Sequence, residues 1–156
     1  MISFRKASID DSQLYFEWTN DPEVRNQSFN SQYIDFETHQ KWFQSKLEDE
    51  NCLLLIFQNE AGLNIGQVRI QIQDENQAII GVSLDINFRG KGYSSEMIKH
   101  AVDYFFSIFN QNLIHAYIKI ENTSSKFAFE KAGFEFVSTI LYSNFQSFHY
   151  IKSNSK

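Results

Sequence analysis

The hydrophobic positions alternate between a helical and a two-residue period, and each switch marks an element. Residues 2–6, "ISFRK", predict a short strand, and Asp10 or Asp11 can cap a helix carrying Leu14, Tyr15 and Trp18. Pro22 in "TNDPEV" stops that helix. From Asp35 to Leu47 the spacing of Phe36, Gln40, Phe43 and Leu47 is helical, with His39 and Trp42 one turn apart beside the stripe. The period then falls to two. "CLLLIF" and the turn "NEAGLN" lead into "QVRIQIQ", where Val68, Ile70 and Ile72 share one face and Gln67, Arg69, Gln71 and Gln73 the other. "DENQ" turns the chain into "AIIGVSLDI", where Ile80, Val82, Leu84 and Ile86 alternate with Ile79, Gly81, Ser83 and Asp85. Short polar turns between consecutive strands predict an antiparallel meander.

A second helix pattern follows two glycines and runs to about Phe109, with Met97, Ala101 and Phe105 on one stripe and Ile98, Val102 and Phe109 beside it. "LIHAYIKI" is apolar on both faces and reads as a central strand. "NTSSKFAFEKAGF" predicts a short helix capped by Gly133, and strands around "FEFVSTILY" and "FQSFHYI" complete the order β, α, α, β, β, β, α, β, α, β, β. That order implies an α+β protein in three layers, one mixed sheet with helices packed on it.

Composition narrows the setting. The 156 residues suit one domain over 1–152 with a polar tail at 153–156, and 42% hydrophobic content supplies a core. A formal charge of −5 argues against nucleic acid or anionic membrane as partners. Cys52 is the only cysteine, lies in an apolar run and reads as a small buried hydrophobe. The start of the chain carries no export pattern, and no apolar run reaches membrane-spanning length, so a cytoplasmic protein is expected. His39, His100, His115 and His149 have no metal-ligand spacing, and no metal is expected.

Two of only six glycines flank Lys91 at the start of a helix, in "DINFRGKGYSSEMI". Unpaired N–H groups and the positive end of the helix dipole make such a terminus an anion site, and glycine lets a phosphate approach. The dinucleotide fingerprint fits poorly, because a third glycine is missing and the preceding strand belongs to a meander. The nucleotide-hydrolase phosphate loop fits no better, lacking Lys-Ser/Thr after its glycine.

Arg89-Gly90-Lys91-Gly92-Tyr93-Ser94 instead resembles the pyrophosphate-binding motif of the GCN5-related N-acetyltransferases, Gln/Arg-x-x-Gly-x-Gly/Ala, with Ser94 in place of the last small residue. "NTSSKFAFEKAGF" resembles a second segment of that family, with Asn122, Ser125, Phe129, Lys131, Gly133 and Phe134 in register. The resemblance covers essentially the whole chain and implies the family's acyl-CoA N-acyltransferase fold, a mixed, mainly antiparallel sheet of about seven strands flanked by about four helices. It also implies acetyl-CoA as co-substrate. Its pyrophosphate would meet Arg89, Gly90, Lys91, Gly92, Tyr93 and Ser94, and its pantetheine the main chain of Leu84 and Ile86. Asn122, Ser125, Phe129 and Lys131 would complete the coenzyme site. A bulge near Gly81 would splay the strand and open the cleft.

Acetyl transfer to an amine needs a neutral amine, an oxyanion donor and a proton for the departing thiolate. Backbone N–H groups near Gly81–Ser83 can serve the oxyanion. The resemblance puts the family's usual glutamate at Ile79 and its usual tyrosine at Phe129, so neither is present. Ser83 can hold a relaying water or leave room for pantetheine, and Tyr93, Tyr142, His149 or Tyr150 can supply the proton.

"NDPEVRNQSFNSQYIDFETHQKWF" resembles the acceptor block of N-acetyltransferases acting on nucleotide-linked amino sugars of the pseudaminic and legionaminic acid type. It implies that Arg25 and His39 face the nucleotide or sugar, while Trp42 and Phe43 pack the helix; Phe29 offers the acceptor a stacking surface. The expected activity is acetyl transfer to a small-molecule amine, a nucleotide-linked aminodeoxy sugar, by a monomer or homodimer. Trp18, Asn20, Asp21 and Pro22 equally fit ribosomal-protein-type N-terminal acetyltransferases, and the absent glutamate and tyrosine fit a non-catalytic acyl-CoA-binding module.

Overall fold

Residues 53–57 bury side chains on both faces, and this sets the layering. In a computed structural model that describes residues 1–75 and 77–154, the strands are β1 (Ser3–Lys6), β2 (Cys52–Gln58), β3 (Asn64–Ile72), β4 (Ala78–Leu84), β5 (Leu113–Lys119), β6 (Glu135–Tyr142) and β7 (Phe145–Ser153). They form one sheet in the order β1-β2-β3-β4-β5-β7-β6, parallel only where β4 meets β5. The helices among the described residues are α1 (Ser12–Thr19), α2 (Pro22–Gln27), α3 (Phe36–Glu48), α4 (Tyr93–Ile108) and α5 (Thr123–Lys131). Ser153 therefore belongs to β7, and Ser155 and Lys156 of the expected tail lie outside the described residues, as does Asn76 of the "DENQ" turn.

On one face of β2, Leu54 and Ile56 pack with Tyr15, Trp18 and Phe43 of α1 and α3. On the other, Leu53, Leu55 and Phe57 join Val68, Ile70, Met97, Ile98 and Phe105 in the larger core under α4. Burying each such side chain stabilises the fold by roughly 1.5–3 kcal/mol, more than any one exposed contact supplies. Gly66 is obligatory here: a Cβ would sit 2.4 Å from the Ser83 carbonyl oxygen and 2.9 Å from the Met97 terminal methyl.

The structure departs from the sequence reading in several places. Pro22 begins a helix as well as ending one, because Asp21 caps α2 by accepting from the amides of Glu23 (3.0 Å) and Val24 (3.3 Å). α3 buries His39 and Phe43 and leaves Phe36 46% exposed, since Phe43 meets Tyr15 in the core while Phe36 packs on Phe16 at the rim. β4 ends at Leu84. Asp85 accepts from Trp18 Nε1 and from the Asn87 amide, each at 2.9 Å, and folds Ile86–Phe88 into a 3-10 turn with Ile86 64% exposed.

The β3–β4 register runs unshifted from Gly66↔Leu84 to Ile72↔Ala78, so Gly81 carries no bulge. The cleft opens for another reason. β4 stays paired to β3 and β5 to β7 along their lengths, whereas β4 and β5 pair only at Ala78↔Ile114 and Ile79↔His115. Each half-sheet keeps its own twist, and beyond Ile79 they part. Among the described residues no helix is long and apolar enough to cross a membrane.

Candidate active site

Where β4 and β5 part lies a cleft of about 1010 Å³, walled by α1, α2, α3, β3, β4, β5, α5 and the start of α4. Past Ile79, β4 presents a strand edge that β5 does not pair, which a chain bearing amides can join like an added strand. At the end of that edge Gly90 and Gly92 line the cleft with φ of +75° and +82°. A Cβ on either would meet nothing within 4 Å, so the space above the backbone is open. α4 starts at Tyr93, and the unpaired amides of its first turn carry the positive end of a 16-residue dipole. A strand edge leading to an anion cradle fits coenzyme A, whose pantetheine carries amides and whose pyrophosphate is anionic.

Leu84, Arg89, Gly90, Gly92, Ser94, Asn122, Ser125, Phe129 and Lys131 all line this one cleft. Asn122 caps α5 by accepting from the Ser125 amide at 3.2 Å, and so fixes the segment facing the cradle. Ile86, Lys91 and Tyr93 do not line the cleft. Ile86 leaves with the 3-10 turn, Lys91 Nζ lies 5.9 Å from the Phe88 ring centre, and Tyr93 packs edge-on against Phe88. Arg89 is a brace: its guanidinium meets Asp21 (3.0 Å), Glu23 (2.8 Å) and the Leu84 carbonyl (3.0 Å).

At the acceptor end, Arg25 is also committed to the protein. It donates to Thr19 O and Asn30 O at 2.7 Å, to Gln32 O at 3.3 Å and to Ser28 Oγ at 3.1 Å. Burial lowers its pKa, and it shapes the loop after α2 instead of offering free donors. Phe29 lines the cleft and packs edge-on against Tyr142, and Lys119 Nζ donates to Asn26 O at 3.0 Å above the Phe145 ring. His39 lines the cleft and is 1% exposed, with Nε2 unpartnered. Burial lowers its pKa, the Arg25 charge adds to this, and a hydrogen bond with the Ser12 backbone opposes it. The Tyr15 hydroxyl is likewise buried without a partner, and burial raises its pKa.

Gln67 escaped the sequence reading of the site, and the placement of Arg69 was not visible in it. Gln67 Nε2 donates to Ser83 Oγ at 2.8 Å, so the serine accepts from its neighbour strand. Arg69 lies 5.4 Å over the Trp42 ring and 3.7 Å from where a Gly81 Cβ would be. The strand alternation already put Gln67 and Arg69 on one face; their pairing with Ser83 and Gly81 needed the register.

A half-split mixed sheet, with an anion cradle at the mouth of the split, defines an acyl-CoA-dependent acyltransferase. The chain belongs to the GNAT acetyltransferase family, whose Acetyltransferase (GNAT) domain matches residues 2–135, and it is an acetyl-CoA-dependent N-acetyltransferase. It is 28% identical over 143 residues to the uncharacterized N-acetyltransferase p20 of Bacillus licheniformis, covering 85% of this chain and 80% of that protein. It is 28% identical over 123 residues to the acetyltransferase PseH of Campylobacter jejuni, covering 77% and 74%. In fold it is similar to the spermidine N-acetyltransferase of Vibrio cholerae, crystallised with CoA and spermine, with a TM-score of 0.89 at 18% identity over 99% of this chain and 96% of that one.

Proposed function

We propose that the enzyme moves acetyl from acetyl-CoA to the amino group of a nucleotide-linked aminodeoxy sugar, a precursor of surface polysaccharide, in the cytoplasm. The carrying observation is the charge of the cleft. At its acceptor end Arg25, Arg69 and Lys119 line it, and Glu23, the acidic side chain among its lining residues, is held by Arg89. A polycationic acceptor such as a polyamine needs carboxylates, and so does a cationic peptide terminus; this lining favours an acceptor that brings negative charge. Similarity to PseH supports the same reading.

In this reading the cradle at Gly90 and Gly92 holds the pyrophosphate, and the free edge of β4 aligns the pantetheine. The amine nitrogen attacks the thioester carbon, backbone N–H groups near Gly81 take the oxyanion, and the C–S bond breaks to leave thiolate. Ile79 and Phe129 line the cleft where they can neither take nor give a proton. The amine proton passes to water held at Ser83, and the thiolate takes a proton from solvent. Binding supplies the acceleration by orientation, which can contribute several kcal/mol. Thiol release from acetyl-CoA tests the reading against UDP- and CMP-linked amino sugars, free amino sugars, spermine and N-terminal peptides. Turnover confined to an amino-sugar nucleotide is expected; turnover confined to spermine or peptide overturns it.

A further inference from the structure

The cations of the acceptor end are spent, with one exception. Arg25 is fixed by protein oxygens, and Lys119 donates to Asn26 O. The Arg69 guanidinium makes no hydrogen bond or ion pair among the described residues. It rests between the Trp42 ring and the backbone of Gly81, two residues past the last β4–β5 pair, where the cleft begins. An unpaired guanidinium with an aromatic face on one side and a glycine on the other keeps its donors free for an outside anion.

A second observation points to a ligand at the same end. Tyr15 and His39 line this cleft, and the Tyr15 hydroxyl and His39 Nε2 are buried with no partner among the described residues. Buried polar atoms are ordinarily satisfied, so their shared orphan state marks a place where a polar molecule completes the site.

We propose that Arg69, stacked under Trp42, is the specificity-determining residue that binds a phosphoryl group of the acceptor, with Tyr15 and His39 satisfied by the same molecule. This rests on the nucleotide-sugar reading and names the side chain that reads the nucleotide. The guanidinium fork grips two phosphate oxygens at once, which a lysine point charge reproduces only in part.

The test uses full-length protein saturated with CoA, so that the glycine cradle is filled. UDP, inorganic pyrophosphate and, as a carboxylate probe, N-acetylglutamate are titrated by calorimetry and by tryptophan fluorescence. Wild-type protein is expected to bind UDP and pyrophosphate, with Arg69→Gln weakening both about ten- to a hundred-fold, Arg69→Lys falling between, and CoA affinity held within about two-fold. Melting curves identify a variant that has lost its fold, and Arg69→Lys keeps the test alive in that case. Equal UDP affinity in wild type and both variants overturns the proposal, as does binding of N-acetylglutamate alone. With a turnover assay, Arg69→Gln should raise acceptor KM while leaving acetyl-CoA KM. Unchanged acceptor KM on a working amino-sugar nucleotide sinks Arg69 and leaves the proposed function intact. Arg69-dependent UDP binding without turnover of any nucleotide sugar does the reverse.

Discussion

Arg89 reaches back across 68 residues to Asp21, and their 3.0 Å contact ties the coenzyme loop to the helix on the acceptor wall. The same Asp21 oxygen caps α2. Asp21→Ala should cost about 1–2 kcal/mol from the lost cap and ion pair, read as a lower Tm. It should also raise KM for both substrates, because both walls lose their common anchor. Asp21→Asn keeps a capping oxygen and should recover most of the stability while KM stays raised. A variant that loses only stability would mean the contact has no part in binding.

Gly92→Val separates strain from blockage. At φ +82° the substitution strains the backbone by about 1–3 kcal/mol and puts a side chain into the open space above the cradle. Gly62 has φ +78° and equally open surroundings, but it does not line the cleft. Both valine variants should lose similar stability, and only Gly92→Val should lose CoA binding by calorimetry. Equal CoA affinity in the two would remove the cradle from the coenzyme site.

What the sequence could reveal followed from how local each feature is. The two-sided apolar run of β2 and the alternation of β3 and β4 carry their own period, so the meander was legible. α2 was not: it has no buried residue, and side-chain bonds from Arg89 and Arg25 to chain segments on either side hold it. The end of β4 also escaped, because Asp85 turns the chain there by accepting from Trp18, 67 residues earlier. Arg25 and Arg69 look alike in the sequence. Only the fold shows that one is consumed by loop carbonyls and the other left open.

Acid should destabilise the fold first through its histidines. His39 is held below its ordinary pKa by burial, then by the Arg25 charge, and His149 by burial and the charge of His115. Below about pH 6.5 the unfolded chain takes up protons that these folded sites refuse. Stability should therefore be flat from that pH to about 8 and fall beneath it until the folded sites titrate. Asp11 acts in a lower window: hydrogen bonds from Arg5 keep its carboxyl below the usual range, and that contribution is lost only as pH falls from about 4. His39→Phe should flatten the Tm loss between pH 7 and 5 while leaving the steeper fall below pH 4. An unchanged slope between pH 7 and 5 would show that His39 does not carry it.

Ser83 accepts from Gln67 Nε2, so its own hydroxyl proton is the one free to donate, and a serine is no base for an ammonium group. If water at Ser83 receives the amine proton, no side-chain pKa limits the reaction. The rise of kcat/KM with pH should then follow the amine of whichever acceptor is supplied, and two acceptors of different amine pKa should give two displaced profiles. Ser83→Ala should lower kcat about ten-fold, leave acetyl-CoA KM unchanged and leave each profile in place; about 1.4 kcal/mol of transition-state stabilisation is what one hydrogen-bonded relay can supply. A side-chain base would instead pin both profiles to the same pH. If Ser83 only makes room for pantetheine, Ser83→Ala leaves kcat untouched and Ser83→Val raises acetyl-CoA KM.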